Sequence, residues 1–192
     1  MNVNILRPVN WVGGAIFRTI AYDARTFRMQ NRAVPGQRAP AHVHDHMSET
    51  FLIREGEATF WIGPNRTETR GRPGDRVVAP AGVTHAFAIT SSSPVVFDVD
   101  FEPPGDMPRM MATIAGLQDE GESAWMAKFL YLERRQGLKE FSRPVGALGV
   151  VTAVLFPLLL VYGDLMGWNR LVGRYVPSSD APPSDTTHDQ DS

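Results

Sequence analysis

The sequence predicts a mainly β domain, built as a barrel or sandwich, followed by C-terminal α-helices. Short alternating or apolar runs, broken by Gly, Pro and Asn, dominate the first hundred residues, which is typical of many short strands. Beyond residue 104 the apolar side chains recur at helical spacing, and residues 144–163 contain no charged residue. We therefore expect a β domain at 1–104, amphipathic helices at 105–143, an apolar helix at 144–175 and a disordered tail at 176–192.

Strands are predicted where apolar or alternating residues lie between turn-forming residues. Gly63-Pro64-Asn65 and Arg72-Pro73-Gly74 provide two of the turns. The predicted strands are residues 15–21, 26–34, 50–54, 58–62, 76–79, 86–89 and 95–101.

Two amphipathic helices are predicted after the β region. Asp106 stands at the N-cap position of the first helix with Pro108 in its first turn, and Ser123 precedes the second helix. Their apolar stripes indicate core packing rather than a ligand-binding box, and we expect both helices to cover an open flank of the barrel or a dimer partner. The stripes consist of Met107, Met110, Met111, Ile114 and Leu117, and of Trp125, Phe129 and Leu132.

The apolar run at 144–163 is a candidate membrane anchor, because a helix of about 20 residues rises about 30 Å and can cross the hydrocarbon of a bilayer. Basic residues precede the run and acidic residues dominate the tail, although Arg170 and Arg174 weaken this bias. The bias would hold the β domain in the cytoplasm, at the inner face of the membrane. The alternative is a buried or dimerisation helix that Pro157 ends or kinks.

Composition excludes several classes of protein. The formal net charge of −2 provides no basic field, so no nucleic-acid partner is expected. The chain has no cysteine, which excludes disulfides and thiolate metal ligands. The N-terminal residues lack the basic start and apolar run of a secretory signal, so we expect the β domain to stay where it is made.

Two glycine-bracketed segments carry metal-binding side chains. His42 and His44 lie two residues apart, so on a strand both imidazoles face one interior, and Glu49 returns on the next strand. A Pro-x-Gly turn at 80–82 leads into a strand headed by His85. Three nitrogens and one oxygen suit one divalent transition metal (Fe, Mn, Co, Ni, Cu or Zn) better than Mg or Ca. One or two coordination positions would remain open for water, dioxygen or substrate.

The segments GQRAPAHVHDHMSETFLIREG and GDRVVAPAGVTHAFAI resemble the two motifs of the cupin family, G-x5-H-x-H-x(3,4)-E-x6-G and G-x5-P-x-G-x2-H-x3-N. Ile89 stands where the second motif usually has Asn, a position that is not a metal ligand in the family. The resemblance covers roughly residues 12–102 and is to small single-domain bacterial cupins of the quercetin dioxygenase-like type. It implies a jelly-roll β-barrel with the metal inside. The family habit of dimerising, together with an apolar helix that needs cover, favours a homodimer.

Two further histidines are not expected to be ligands. His46 lies in the loop between two of the predicted ligands, where it is a solvated residue or a hydrogen-bond partner of a ligand. His188 lies in a polar tail and is expected to be solvated.

Apolar side chains are predicted around the metal, because alternation from Glu49 and from His85 turns every second residue inward. Such a pocket suits a small aromatic or otherwise apolar ligand better than a sugar phosphate. Core packing accounts for most of these side chains, and only one or two need touch a substrate. The predicted pocket residues are Phe51, Ile53, Phe87 and Ile89.

The leading functional hypothesis is a metal-dependent oxygenase, in which the resemblance suggests that Glu49 also shuttles a proton from the substrate. The competing hypothesis is a non-catalytic module that senses a small ligand at the membrane. A metal-dependent isomerase or epimerase is less favoured, because the second motif brings no inward-facing base besides the ligands.

Overall fold

The computed structural model describes residues 1–138 and 143–177 of the chain. Within these residues, two antiparallel β-sheets face each other and three α-helices follow them. The strands are β1 (Asn2–Val3), β2 (Val9–Asn10), β3 (Ile16–Tyr22), β4 (Phe27–Ala33), β5 (Arg38–Val43), β6 (Ser48–Glu55), β7 (Ala58–Ile62), β8 (Thr67–Gly71), β9 (Arg76–Ala79), β10 (His85–Ala88), β11 (Val95–Glu102), β12 (Arg143–Pro144) and β13 (Val176–Pro177). The helices are α1 (Met107–Asp119), α2 (Trp125–Arg135) and α3 (Gly146–Leu165).

The two main sheets form the jelly-roll barrel that the sequence predicts. One sheet has the strand order β2-β3-β4-β11-β6-β9, and the other has the order β12-β5-β10-β7-β8. Neighbouring strands in space are often distant in the chain, because successive strands alternate between the two sheets. Four phenylalanine rings fill the space between the sheets, with ring centroids 4.9 to 6.1 Å apart. These are Phe51, Phe60, Phe87 and Phe97.

All seven predicted strands are present, with ends that differ by no more than two residues. The prediction omitted β8, whose residues Thr67–Gly71 are polar, largely exposed and without apolar alternation. It also did not delimit β5, in which Pro40 interrupts the alternation, although it placed His42 on a strand. The short strands β1, β2, β12 and β13 have two residues each, too few to show a period.

Helices α1 and α2 pack on the barrel and complete its core. Asp106 is the N-cap residue of α1, although its carboxylate pairs with Arg109 instead of capping the helix. Met111, Ile114 and Leu117 of α1 are fully buried. The helices therefore cover one flank of the barrel, which is one of the two arrangements that the sequence left open.

Helix α3 is the one helix among the described residues that is long and apolar enough to cross a membrane. Only 6% of an 18-residue apolar stretch of this helix is buried. Pro157 lies inside the helix and does not end it. Nine large apolar side chains on α3 are 41 to 82% exposed, far more apolar surface than a monomeric protein usually leaves in water. They are Leu148, Val150, Val151, Val154, Leu155, Leu158, Val161, Tyr162 and Leu165.

Both ends of α3 are attached to the same domain. At the N-terminal end, β12 pairs with β5, and the amide of Val145 donates a hydrogen bond to the carbonyl of Ala41 (3.1 Å). At the C-terminal end, the hydroxyl of Tyr131 donates to Asp164 (2.6 Å), and Arg135 forms an ion pair with the same carboxylate. The helix therefore lies beside the barrel in this structure, with its outer face exposed.

The segment after α3 returns to the core. Trp168, Leu171 and Tyr175 are 5%, 1% and 1% exposed, and Tyr175 packs against Gly116 of α1 where no side chain would fit. Strand β13 then pairs in parallel with β1. Residues 176 and 177 were predicted to begin a disordered tail but form this strand, and the remainder of the predicted tail lies outside the described residues.

Candidate metal centre

The two sheets bring together the four side chains that the sequence predicted as ligands. His42 lies in β5 and His85 opens β10, and these two residues are directly paired across adjacent strands of one sheet. Glu49 approaches from β6 of the facing sheet. His44 lies one residue beyond the end of β5. All four side chains are buried, with exposed fractions between 3% and 9%.

The ligand atoms of these four residues converge on one point. One nitrogen or oxygen from each residue lies within 4.8 Å of the corresponding atoms of the other three. Nε2 of His85 lies 2.7 Å from Oε2 of Glu49, and Nε2 of His44 lies 3.6 Å from the same oxygen. Metal–ligand bonds of about 2.0–2.2 Å place adjacent ligand atoms roughly 3–4 Å apart, so the cluster needs only small shifts to hold an ion.

Backbone carbonyls orient two of the imidazoles. Nδ1 of His42 lies 2.7 Å from the carbonyl oxygen of Pro40, and Nδ1 of His85 lies 2.9 Å from that of Val83. A carbonyl oxygen only accepts, so in each case Nδ1 carries the proton and donates it. With Nδ1 used in this way, Nε2 of each ring is the nitrogen that faces the cluster, and it is the atom that a metal ion would bind.

The protonation states of the cluster also suit metal binding. Burial lowers the pKa of His42 to about 4, with a further decrease from the nearby charge of His85, so His42 is neutral at pH 7. Burial acts to raise the pKa of Glu49, but hydrogen bonds from His44 and His85 outweigh it and lower the pKa to about 2. A neutral imidazole and an ionised carboxylate are the forms that bind a metal, so neither group must release a proton first.

His46 lies outside the cluster, as the sequence suggested. His46 is exposed in the loop after β5 and is not one of the four clustered side chains. The same loop is held by Met47, which is buried, and by an ion pair between Asp45 and Arg143 at 2.9 Å. His188 lies outside the described residues.

A cavity of about 300 Å³ opens from the cluster between the sheets. His42, His44 and Glu49 form part of its wall, and Phe51 and Phe87 of the predicted pocket residues line it as well. Ile53 and Ile89 are buried in the core and are not among the lining residues. Most of the remaining wall is aromatic, methionine and aliphatic, and the exposed Arg38 and the half-buried Gln37 line it as well.

Several residues of the cavity wall were not predicted. Trp11, Met107 and Met110 come from outside the motif-bearing strands, and the helical period of α1 did not reveal which methionine would face a cavity. Asn31 lines the cavity from β4. This position could have been predicted from the sequence. Asn31 follows Phe27 and Met29 at two-residue spacing, so it lies on the same inner face of a predicted strand, and that face is otherwise apolar.

Comparisons with known proteins find one family match and several similar solved structures. A family model described as a cupin domain matches residues 32–101. An uncharacterized conserved protein with a double-stranded β-helix domain from Klebsiella pneumoniae is 26% identical, with a TM-score of 0.44, over 52% of this chain and 84% of that one. A Thermus thermophilus protein is 26% identical, with a TM-score of 0.45, over 51% and 90% of the respective chains. A predicted oxalate decarboxylase from Thermotoga maritima is 17% identical, with a TM-score of 0.47, over 54% and 99%. No curated protein matches the chain.

Proposed function

The chain belongs to the cupin superfamily through residues 32–101, and we propose that it is a metal-dependent enzyme of the oxygenase type that acts on a small aromatic or apolar substrate. The observation that carries this proposal is the shared cavity. Three of the four clustered ligands form a wall of the same space that Phe51 and Phe87 line, so a substrate in that space would lie against the metal site.

The residues present fit a divalent transition metal with His42, His44, Glu49 and His85 as ligands. When bound, such an ion supplies Lewis-acid chemistry and, for a redox-active metal, a site for dioxygen. In a dioxygenase reaction both oxygen atoms enter the substrate, which provides the electrons that reduce them, so no separate reductant is required.

The side chains of the protein would position the substrate and handle its proton. The aromatic wall excludes water and holds a flat apolar ring beside the cluster. Glu49 lines the cavity, so its carboxylate is placed to accept a proton from a substrate hydroxyl within hydrogen-bonding distance. We therefore assign Glu49 two roles, as a metal ligand and as the base that ionises the substrate.

The metal content of the full chain tests this proposal first. We expect a near-stoichiometric transition metal in wild-type protein measured by elemental mass spectrometry, a sharp loss in His85→Ala, and little change in the matched control His46→Ala. Metal-loaded protein should then consume oxygen with a hydroxylated aromatic compound. Equal metal loss in both variants would contradict the ligand assignment. Metal binding without turnover on any aromatic tested would favour a binding module instead.

The second functional candidate is a membrane-associated sensor, and the exposed face of α3 favours it. The helix is attached through β12 to β5, the strand that carries His42, so a partner that moves α3 could move a ligand of the metal site. We propose that residues 144–163 bind a bilayer surface through eight of the nine exposed apolar side chains of α3. The β domain would then remain on the cytoplasmic side.

Vesicle flotation tests the membrane association. We expect the full chain to float with vesicles of phosphatidylcholine and phosphatidylglycerol, and we expect a double variant with Leu155→Glu and Leu158→Glu to stay in solution. Light scattering of both proteins provides the comparison with the homodimer. If the wild type is a dimer that does not bind vesicles and the double variant is a monomer, then a second copy covers α3 and the membrane proposal is wrong.

A further inference from the structure

We infer that Asn31 is a substrate-binding residue that anchors a hydroxyl group at the end of the cavity remote from the metal centre. This inference rests on the proposed function, because it assumes that the substrate of the metal site occupies the same cavity. It adds the chemical class of that substrate, an aromatic compound with one end that binds the metal and a hydroxyl group at the other.

The first observation is that Asn31 has an unused hydrogen-bonding atom. The residue is only 3% exposed, it lines the cavity, and its Oδ1 atom is buried without a hydrogen-bond partner among the described residues. Buried amide oxygens are almost always paired, because an unpaired one loses its hydration without compensation. An unpaired buried polar atom on a side chain that lines a cavity is therefore best matched by a partner that enters the cavity.

The surroundings of Asn31 make this amide conspicuous. On β4 it is paired with Phe17 of β3 and with Phe97 of β11, and both of these side chains also line the cavity. The neighbouring inward-facing position on β4 is Met29. An apolar side chain at position 31 would pack better against these apolar neighbours and would avoid the cost of desolvating an amide. The amide is thus explained by recognition of a ligand rather than by packing.

The register of the sheet sets the distance between Asn31 and the metal centre. Glu49 is paired through Phe101 with Phe27, which lies four residues before Asn31 on β4. The two residues are therefore two strands and two inward-facing rows apart, which corresponds to about 10 Å across the sheet and about 14 Å along it. The two positions are thus roughly 17 Å apart, and allowing about 2 Å for a metal–oxygen bond and about 3 Å for a hydrogen bond leaves roughly 10–12 Å between the metal-binding end of a ligand and its hydroxyl group.

A two-ring aromatic compound matches these requirements. One ring would carry the metal-binding oxygens and lie near Phe51 and Phe87, and the second ring would lie between Phe17 and Phe97. A hydroxyl on the second ring can donate to Oδ1 of Asn31 and can also accept from the amide nitrogen. A compound of the same shape without that hydroxyl would leave the amide unpaired and would bind more weakly.

Thr19 provides a matched control within the same sheet. Its Oγ1 atom is also buried without a partner among the described residues, and Thr19 is 2% exposed. It is paired with Met29 in the register, adjacent to the Asn31 row, but it does not line the cavity. Removing its hydroxyl should therefore leave ligand preference unchanged.

The test compares 4-(4-hydroxyphenyl)catechol with 4-phenylcatechol, which differ only in the distal hydroxyl. Binding to the full chain loaded with zinc, which does not oxidise catechols, is measured by titration calorimetry. We expect wild-type protein and Thr19→Val to bind the hydroxylated compound about tenfold more tightly. We expect Asn31→Leu to bind both compounds equally and to unfold at the same or a higher temperature than wild type. Asn31→Ala serves as the second variant if leucine fills the cavity.

The same comparison with 4-hydroxybiphenyl and biphenyl on metal-free protein separates this inference from the proposed function. A hydroxyl preference that depends on Asn31 in the metal-free protein, with no retention of zinc, would support the inference and overturn the metal-dependent function. Retention of zinc with equal affinity for both members of each pair in wild type would overturn the role of Asn31 alone. A preference that persists in Asn31→Leu, or no binding of any of the four compounds, would overturn it as well.

Discussion

At the scale of single residues, the metal centre depends on the difference between its one carboxylate and its three imidazoles. Glu49 is the only anionic member of the cluster, and it lies within 3.6 Å of two of the histidines. A neutral amide of the same shape would keep the packing but would remove the charge that offsets a divalent cation. The charge and the shape of this ligand can therefore be tested separately.

We predict that Glu49→Gln weakens zinc binding by at least tenfold, which is the lower end of what even indirect partners of a metal ligand contribute. Competition against a fluorescent chelator measures the affinity. Glu55→Gln is the control, because Glu55 lies at the exposed end of the same strand. Unchanged zinc affinity in Glu49→Gln would show that the carboxylate does not bind the ion.

Ionisation of Glu133 in α2 links the stability of the fold to pH. Burial raises the pKa of this carboxyl to about 8, against a small opposing effect of Arg134. Because the folded-state pKa is raised, the protonated group contributes stability that is fully present below its unfolded pKa near 4.5 and is lost as the pH rises toward 8. Glu133→Gln should therefore raise the free energy of unfolding by about 1–3 kcal/mol at pH 8 and leave it unchanged at pH 4.

Urea denaturation at pH 4 and pH 8 measures this difference for wild type and variant. The same increase at both pH values would show that the amide acts through packing and not through ionisation. A decrease at pH 8 would show that the carboxylate is ionised and paired in the folded protein.

At the scale of elements, α3 is fixed by close contact at its C-terminal end. Gly163 faces Tyr131 and Trp168 so closely that a Cβ atom would overlap both rings. We predict that Gly163→Ala lowers the free energy of unfolding by about 1–3 kcal/mol, despite the better helix propensity of alanine. Ala153→Ser on the exposed face should change it by less than about 0.5 kcal/mol. Thermal unfolding followed by circular dichroism measures both, and equal stability of the two variants would mean that α3 is not packed on α2.

The elements also show what the sequence could and could not predict. Period-two alternation located the seven longer predicted strands, and the motif spacing located all four clustered ligands, because both signals are local. Strand β8 escaped because its exposed residues have no apolar face to reveal it. The sequence also did not predict that Trp11 and α1 line the cavity, because their position depends on contacts between distant parts of the chain that no local pattern encodes.

Asn31 was partly predictable from the local sequence and partly dependent on contacts between distant parts of the chain. Its inward parity on β4 was readable from the sequence, since it follows Phe27 and Met29 at two-residue spacing. Its significance was not readable, because a polar residue on an apolar face can be satisfied by any neighbouring group. Only the three-dimensional arrangement reveals that Asn31 lines the cavity and that its Oδ1 atom is buried without a partner among the described residues.

At the scale of the whole molecule, the C-terminal region is part of the domain as well as a candidate membrane-binding element. If α3 were only an anchor, a chain ending at Arg143 would remain a soluble barrel. In the structure, Trp168, Leu171 and Tyr175 are buried against α1 and α2. The first residues beyond that truncation point also pair with β5 beside His42. Only the apolar outer face of α3 can be changed without disturbing these contacts.

We therefore predict that a chain truncated after Arg143 loses more than about 3 kcal/mol of folding free energy, since deletion of even one buried aromatic side chain costs about that much. The double variant Leu155→Glu and Leu158→Glu should unfold within about 0.5 kcal/mol of wild type, because both side chains are exposed. Urea denaturation compares the three proteins, and zinc content is measured in parallel because β12 supports a ligand-bearing strand. A truncated chain that is as stable and as zinc-rich as wild type would mean that residues 144–177 are an appendage. In that case the helix would be free to leave the domain and cross a bilayer.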